Sequence, residues 1–523
     1  MSDDKDPDRL RPRMARSVVD PSLMREFHDV PDETQPRSDG ARLKQASVRR
    51  GDVERFGSGG GAPRALQPTA RVIIELNSDW EGGVGQAREA VIERIVRLEI
   101  GGRLDRNRGG RHYVFAELTE AEVADLAKEN RPDRPSPILR MWRDEPLYPL
   151  LGKSVRTVKA DACIATFGAD GDGIVVAVAD SGIDEAHPHF TTHRNLLDLP
   201  PGVDHADFTS GEGKGALSDG YGHGTHVAGI VAGLTGPDLT IARVGEVREM
   251  DGSVTTVVDQ MKPGTVLKGV APKAKLVSLK VLDDAGRGYS SALIEALEHV
   301  HEVNQAGRRI RIHCVNLSLG YPFEAEWFAA GHSPLCEVVN RLSRSGVVVV
   351  AAAGNDGSIL LQTEGRTNRQ RLGMDQSIND PGNADEAITV GATHAESPHT
   401  YGVSFFSSRG PTADGRVKPD LVAPGERILS CAAASSKKFT KALADAGETA
   451  EAGLAYFREE SGTSMAAPHV AGAVAALLSV RKEFIGRPAA VKQILTTTCT
   501  DLHRKADFQG AGLLDLLRAL QSV

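Results

Sequence analysis

Ile174-Val175-Val176-Ala177-Val178-Ala179, followed by Asp180-Ser181-Gly182, is the stretch on which the fold turns. An apolar run of this length has no polar face, so a strand here must be covered on both sides, as in a parallel sheet. Residues 275–281, 312–317 and 346–352 read the same way, with helical patterns between them, for example at 291–304. That alternation predicts an α/β domain over 151–523 built on a doubly wound parallel sheet. In such sheets the working residues lie beyond the C-terminal ends of the strands. Asp180 stands at such an end.

Asp180-Ser181-Gly182-Ile183 taken alone also suits an Asp that merely caps a loop. A second motif is His223-Gly224-Thr225-His226-Val227-Ala228-Gly229, which opens a helix of small residues. Two histidines three apart on a helix can, in isolation, be metal ligands. The third is Gly462-Thr463-Ser464-Met465-Ala466-Ala467-Pro468-His469-Val470-Ala471-Gly472. Its small residues allow close packing of a helix on the sheet. Ser464 at the helix start meets oriented N–H groups and the positive end of the dipole, although Ser is also a common N-cap.

The three motifs in the order Asp, His, Ser resemble the subtilisin-like serine proteases, over roughly residues 151–523. The resemblance implies a serine endopeptidase. His223 would take the proton of the Ser464 hydroxyl and return it to the leaving amine. Asp180 would hold His223 in the required tautomer. His226 and His469 would be flanking structural positions. Asn355, after Ala351-Ala352-Ala353-Gly354, would donate its amide to the oxyanion together with the backbone N–H of Ser464. Without the resemblance, Asn355 reads as a turn residue before Asp356-Gly357.

The same resemblance places the substrate. Ser318, Leu319 and Gly320 would pair with its backbone and form one wall of the primary pocket, with Ala352, Ala353 and Gly354 facing them. Gly286, Gly288 and Tyr289 would form the opposite edge strand. Backbone pairing of this kind is β-augmentation. The small residues imply a roomy pocket suited to large apolar side chains, with its floor near Pro381-Gly382. Residues 406–411 and 418–425 match scaffold landmarks.

The chain also departs from the family. His189 stands where many members carry a calcium-ligating Asp, so neither that metal nor any other cofactor is expected, although the acidic loops at Asp204 and Asp207 leave another site open. Insertions are read at about 237–267, 360–379 and 435–459, the last containing a helix over 439–457. They are expected to project near the active-site face, as ordinary loop growth or as contacts for a protein partner.

Upstream, residues 1–68 are polar, Gly- and Pro-rich and end in Gly57-Ser58-Gly59-Gly60-Gly61, a linker composition. Residues 69–150 read as a small α+β unit. Strands are expected at 71–76, at 111–118 through Tyr113 and Phe115, and at 138–143. Val84, Ala87, Val91, Ile95 and Leu98 recur at helical spacing. Thr119 and Glu122 form a capping box before Val123, Leu126 and Ala127. The order approximates β-α-β-β-α-β, a ferredoxin-like arrangement. It resembles the family's inhibitory propeptides, which implies an intramolecular partner for the catalytic domain. Autocleavage is then expected within 145–153, the alternative being a regulatory domain that is retained.

Composition narrows the rest. Net charge is -8, against nucleic acid or an anionic membrane as the main partner. The 55 glycines exceed the average of about 7% and suit an α/β enzyme rich in turns. Five scattered cysteines, without a C-x-x-C pair, indicate neither a disulfide framework nor a zinc site. The charged start, without an apolar core segment, gives no secretory signal, and no long apolar run suggests a span, so a cytoplasmic location is expected. Two other functions fit the scaffold: a peptide ligase or macrocyclase, and a catalytically silent binding module.

Overall fold

A computed structural model describes residues 69–97, 104–105, 112–128, 136–143, 153–209, 215–248, 254–323, 329–362, 369–451 and 453–523. Residues 1–68 and most of the expected cleavage region lie outside the described residues. The chain divides into two compact units, one up to residue 149 and one from residue 150.

In the first unit, Thr69–Leu76 runs antiparallel between Tyr113–Thr119 and Ile138–Arg143, with Leu104–Asp105 on the outer side of Tyr113–Thr119. Helices Gly83–Arg97 and Glu120–Lys128 complete the β-α-β-β-α-β order. Ala87, Val91 and Ile95 are buried, as their spacing predicts. The capping box is reciprocal: Thr119 N donates to Glu122 Oε2 at 2.7 Å, and Glu122 N to Thr119 Oγ1 at 3.4 Å. In the strand Tyr113–Thr119, Val114, Ala116 and Leu118 face the core, while Tyr113 is 41% exposed. Side chains alternate along a strand, so Tyr113, which helped reveal the strand, lies on its outer face.

The second unit carries a seven-stranded, wholly parallel sheet. Its order is Leu421–Glu426, Ile388–His394, Val348–Ala352, Cys314–Leu317, Val175–Asp180, Lys275–Lys280, Ala206–Asp207. Every residue of Val175–Asp180 is buried. Alternate residues feed two cores, Val176 and Val178 on one face and Val175, Ala177 and Ala179 on the other, which explains why the run has no polar position. The helix Thr463–Val480 is buried along nearly its whole length. Its small residues permit this: a Cβ added at Gly472 would come within 2.6 Å of Val270 Cβ.

The insertions form structure of their own. Thr240–Arg248 and Val254–Gln260 make a hairpin, and Leu454–Glu460 joins it in parallel, with Ile428–Cys431 on the far side. The expected helix over 439–457 is therefore corrected. The helix is Lys437–Asp445, and its second half is replaced by the strand Leu454–Glu460. Gly447, at φ 74°, accompanies the helix end, where left-handed backbone suits glycine. Pairing with the other insertion then overrides the helical preference of the Ala- and Glu-rich segment. The insertion at 360–379 contains an antiparallel pair, Ser358–Gln362 with Arg369–Gly373.

Candidate active site

Asp180 is the last residue of its strand and is 1% exposed. Both carboxylate oxygens receive His223 Nδ1, at 2.8 and 2.9 Å. Ser181 N donates to Oδ1 at 2.7 Å, fixing the carboxylate plane. His223 is the first residue of the helix His223–Val231, so its ring is placed by the way that helix starts.

Asp219 sets that start. Its buried carboxylate accepts Gly222 N at 2.7 Å, Thr225 N at 2.8 Å and Thr225 Oγ1 at 2.6 Å. An acidic group here satisfies orphan N–H donors and faces the positive end of the dipole. Ser181 Oγ donates to Asp219 Oδ1 at 2.8 Å and accepts Gly224 N at 2.9 Å. One serine thus ties the turn after Asp180 to the head of the His223 helix. Burial pushes the Asp219 carboxyl pKa up, while these hydrogen bonds pull it back. Sequence reading missed Asp219, because Asp219-Gly220 looks like any turn.

Burial disfavours charge on His223, but Asp180, with smaller contributions from Glu460 and Asp219, outweighs it and lifts the imidazole pKa to about 9. His226 and His469 are fully interior. His226 Nε2 lies 3.2 Å from Ile428 O and 3.1 Å from Arg458 O, and His469 Nδ1 lies 2.8 Å from Met465 O. Burial lowers both pKa values to about 4. His189 is also buried, 2.8 Å from Thr235 Oγ1, with its pKa lowered by burial to about 3. Asp207 accepts Thr209 N and Oγ1 at 2.8 and 2.6 Å. Among the described residues no cluster of three or more His, Cys, Asp or Glu side chains is placed to hold a metal ion.

Ser464 is the second residue of its helix. Its hydroxyl donates to Ser318 O at 2.9 Å, and Ser318 Oγ donates to Ser464 O at 2.8 Å. Asn316 Nδ2 donates to the same Ser318 Oγ at 2.8 Å. The hydroxyl is thus turned to the end of the Cys314–Leu317 strand, and no hydrogen bond to His223 is formed in this state.

Asn355 follows Gly354, which sits at φ 107°. Its Oδ1 accepts Thr463 N at 2.9 Å and Thr463 Oγ1 at 3.2 Å. A backbone N–H can only donate, so the amide oxygen must face Thr463 and Nδ2 remains as the donor for a ligand. Gly354 N closes the loop onto Thr463 Oγ1 at 3.1 Å. The oxyanion candidate and the Ser464 helix are therefore one hydrogen-bonded unit.

A cavity of about 600 Å³ opens at Ser464 and Asn355. Six of the expected substrate residues line it: Gly286, Gly288, Leu319, Gly320, Ala352 and Gly354. The other three stand apart from the lining. Ser318 is 2% exposed and holds Ser464, Ala353 is buried, and Tyr289 is 85% exposed. Residues 286–289 form no ladder and are not an edge strand. A turn centred on Asp283 shapes them, its Oδ1 accepting Ala285 N and Arg287 N at 2.8 and 2.9 Å. Arg287, within the expected 286–289 segment, also lines the cavity, as do Leu282, Asp356 and Asn379, which were not singled out in the sequence. Nothing in their local pattern marks them, since tertiary packing brings them here.

The model of the subtilase family matches residues 171–513. Serine protease AprX of Bacillus subtilis (strain 168) is 31% identical over 455 residues, 85% of this chain and 86% of its own. Subtilisin E of the same strain is 29% identical over 439 residues, 83% of this chain and 87% of its own. Membrane-bound transcription factor site-1 protease of Rattus norvegicus is 30% identical over 374 residues, 70% of this chain and 26% of its own.

Proposed function

The chain belongs to the subtilase family and is a serine endopeptidase; from that premise we propose that Asp180, His223 and Ser464 carry the chemistry and that the enzyme is made as a self-inhibited precursor. The observation behind the first part is the grip of both Asp180 oxygens on His223 Nδ1, which leaves Nε2 for the serine.

Rotation about the Cα–Cβ bond of Ser464 exchanges Ser318 O for His223 Nε2. As Ser464 Oγ attacks the scissile carbonyl, its proton passes to Nε2 and the carbonyl oxygen becomes an oxyanion. Asn355 Nδ2 and Ser464 N, at the head of the Thr463–Val480 helix, donate to that oxyanion. The imidazolium gives its proton to the departing amine, leaving an acyl-enzyme. Water, deprotonated by His223, then releases the acid and restores the hydroxyl. The cavity lined by Gly320, Ala352 and Gly354 takes the side chain before the scissile bond, with room for a large apolar group. Asp219 and Ser181 position His223 without touching the substrate.

The test is labelling with a fluorophosphonate probe. Wild type is expected to label at Ser464, and Ser464→Ala not to label. Ser464→Ala should retain only the slow hydrolysis that binding and oxyanion donors sustain without the nucleophile. Absence of a Ser464-dependent label, even after limited proteolysis of the N-terminal unit, would sink the assignment.

The precursor reading rests on the ferredoxin-like first unit and on the segment Pro146-Leu147-Tyr148-Pro149-Leu150-Leu151 that follows it. Self-cleavage is placed within 145–153. A cytoplasmic location belongs to the same proposal, and the buried free thiols of Cys163, Cys314, Cys336, Cys431 and Cys499 suit a reducing compartment.

A further inference from the structure

The two insertions that pair through Thr240–Arg248 and Leu454–Glu460 enclose a second cavity, of about 650 Å³. Its apolar side is made by Val244, Phe439 and Ala442. Its remaining lining carries Arg427, Lys438 and Arg458 against Glu459 and Glu460. Arg243 stands next to it, within reach of Gly245, which lines the cavity.

The charges do not balance. Glu459 accepts Arg243 at 2.6 Å and Arg427 at 3.2 Å. Glu460 accepts Arg458 at 2.7 Å and Lys438 at 3.2 Å. Three cations of the lining, Arg427, Lys438 and Arg458, therefore face two carboxylates, one of which Arg243 also holds from outside the lining, on a chain whose net charge is -8. The side chains of Arg427 and Lys438 are 66% and 61% exposed, so each can turn to an incoming anion at little cost in desolvation. Guanidinium groups paired to only part of their donors are good carboxylate receptors.

The place of this cavity fixes its role. Ser461 lines it, accepts Arg427 N at 2.9 Å, and precedes Ser464 by three residues in the chain. Arg458 O, on the same inserted strand, meets His226 of the His223 helix. The Ser464 cavity, by contrast, is edged by residues 286–288 and 319–320, which suit the acyl side of a substrate. The two cavities approach each other along 461–464. With the acyl side given to 286–288 and 319–320, the inserted sheet beyond 461–464 is left for the amine side.

We infer that the cavity between the insertions is a subsite for an acidic side chain of the substrate, on the amine side of the scissile bond. The inference rests on the endopeptidase reading. Phe439 and Val244 take the methylenes of a glutamate-sized side chain, and the surplus cations take its carboxylate.

The experiment is a set of quenched fluorescent peptides with one fixed sequence before the scissile bond. Glu, Gln or Lys is placed in turn at each of the first three positions after it. Cleavage sites are located by mass spectrometry, and kcat/KM is divided by the titratable Ser464 content, so that misfolded enzyme is not counted. Wild type is expected to favour Glu over Lys at one of these positions by at least about fivefold, with Gln between them. The preference should shrink in 1 M salt. It should collapse in Arg427→Ala/Lys438→Ala and turn toward Lys in Lys438→Glu. Equal rates across the series, or a preference that survives the double variant, overturn the subsite while leaving the protease intact. A full chain with no titratable serine, before or after processing, overturns the endopeptidase reading and the subsite with it.

Discussion

At His223 two opposing effects meet. Burial favours the neutral ring, and the surrounding carboxylates favour the cation and prevail, with a pKa of about 9. The general base must be neutral, so kcat/KM is expected to climb through one acid limb and level off above about pH 9. Stability runs the other way. An unfolded histidine titrates near 6.5, so the Asp180–His223 contribution is full below that value and is lost as pH rises through about 9. Glu460 is one source of the shift, and its own pKa is held at about 2; burial opposes this, but His226, Arg458, His223 and Lys438 outweigh it. Glu460→Gln should therefore move the acid limb to lower pH. An unchanged limb in the pH profile would mean that His223 does not sense this carboxylate. Asn355→Ala should lower kcat by about 10²–10³ with little change in KM, because the amide is needed when negative charge develops on the carbonyl oxygen. Steady-state kinetics on a single peptide reads this directly.

The Thr463–Val480 helix shows what an element must do to hold such a residue. It is apolar on every side because it is surrounded, and its one glycine and its alanines let it lie close to the sheet. Gly472→Ala would drive a methyl to 2.6 Å from Val270. Overpacking of this kind should cost about 1–3 kcal/mol, read as a lower midpoint in denaturant unfolding. The measurement is best made in the Ser464→Ala background, where self-digestion is removed. The inserted segment 435–459 teaches the converse. Its Ala, Lys and Glu content argues for one long helix, yet only Lys437–Asp445 is helical. Tyr456 and Phe457 alternate onto opposite faces of a strand, and each joins a different core cluster. Propensity loses there to a pairing partner some two hundred residues away in the chain.

On the scale of the molecule, the chain holds a peptidase unit and, before it, a compact unit with a core of its own around Val72, Ile74, Val91 and Leu118. As a precursor, wild type should lose that first unit by a cut within 145–153, while Ser464→Ala should remain whole. Intact-mass measurement of the two purified proteins decides. A wild-type chain of full mass under conditions where peptides are hydrolysed would mark a retained regulatory domain instead.

The order Asp180, His223, Ser464, the parallel sheet and the β-α-β-β-α-β unit were all legible from the sequence. Each depends on local pattern: an apolar run, a motif of small residues, a capping box at Thr119 and Glu122. The grip of Asp219 and Ser181 on the His223 helix, the lock of Asn355 onto Thr463 and the turn of Ser464 toward Ser318 were not legible. Neither were the strand at Leu454–Glu460 and the charged cavity beside it. These join residues far apart along the chain through hydrogen bonds and packing, and no local periodicity encodes which distant partner a polar group will find. Sequence alone therefore determined the chemistry this protein commits to. Tertiary structure decided how that chemistry is oriented, how its histidine is charged, and what surrounds the peptide it cuts.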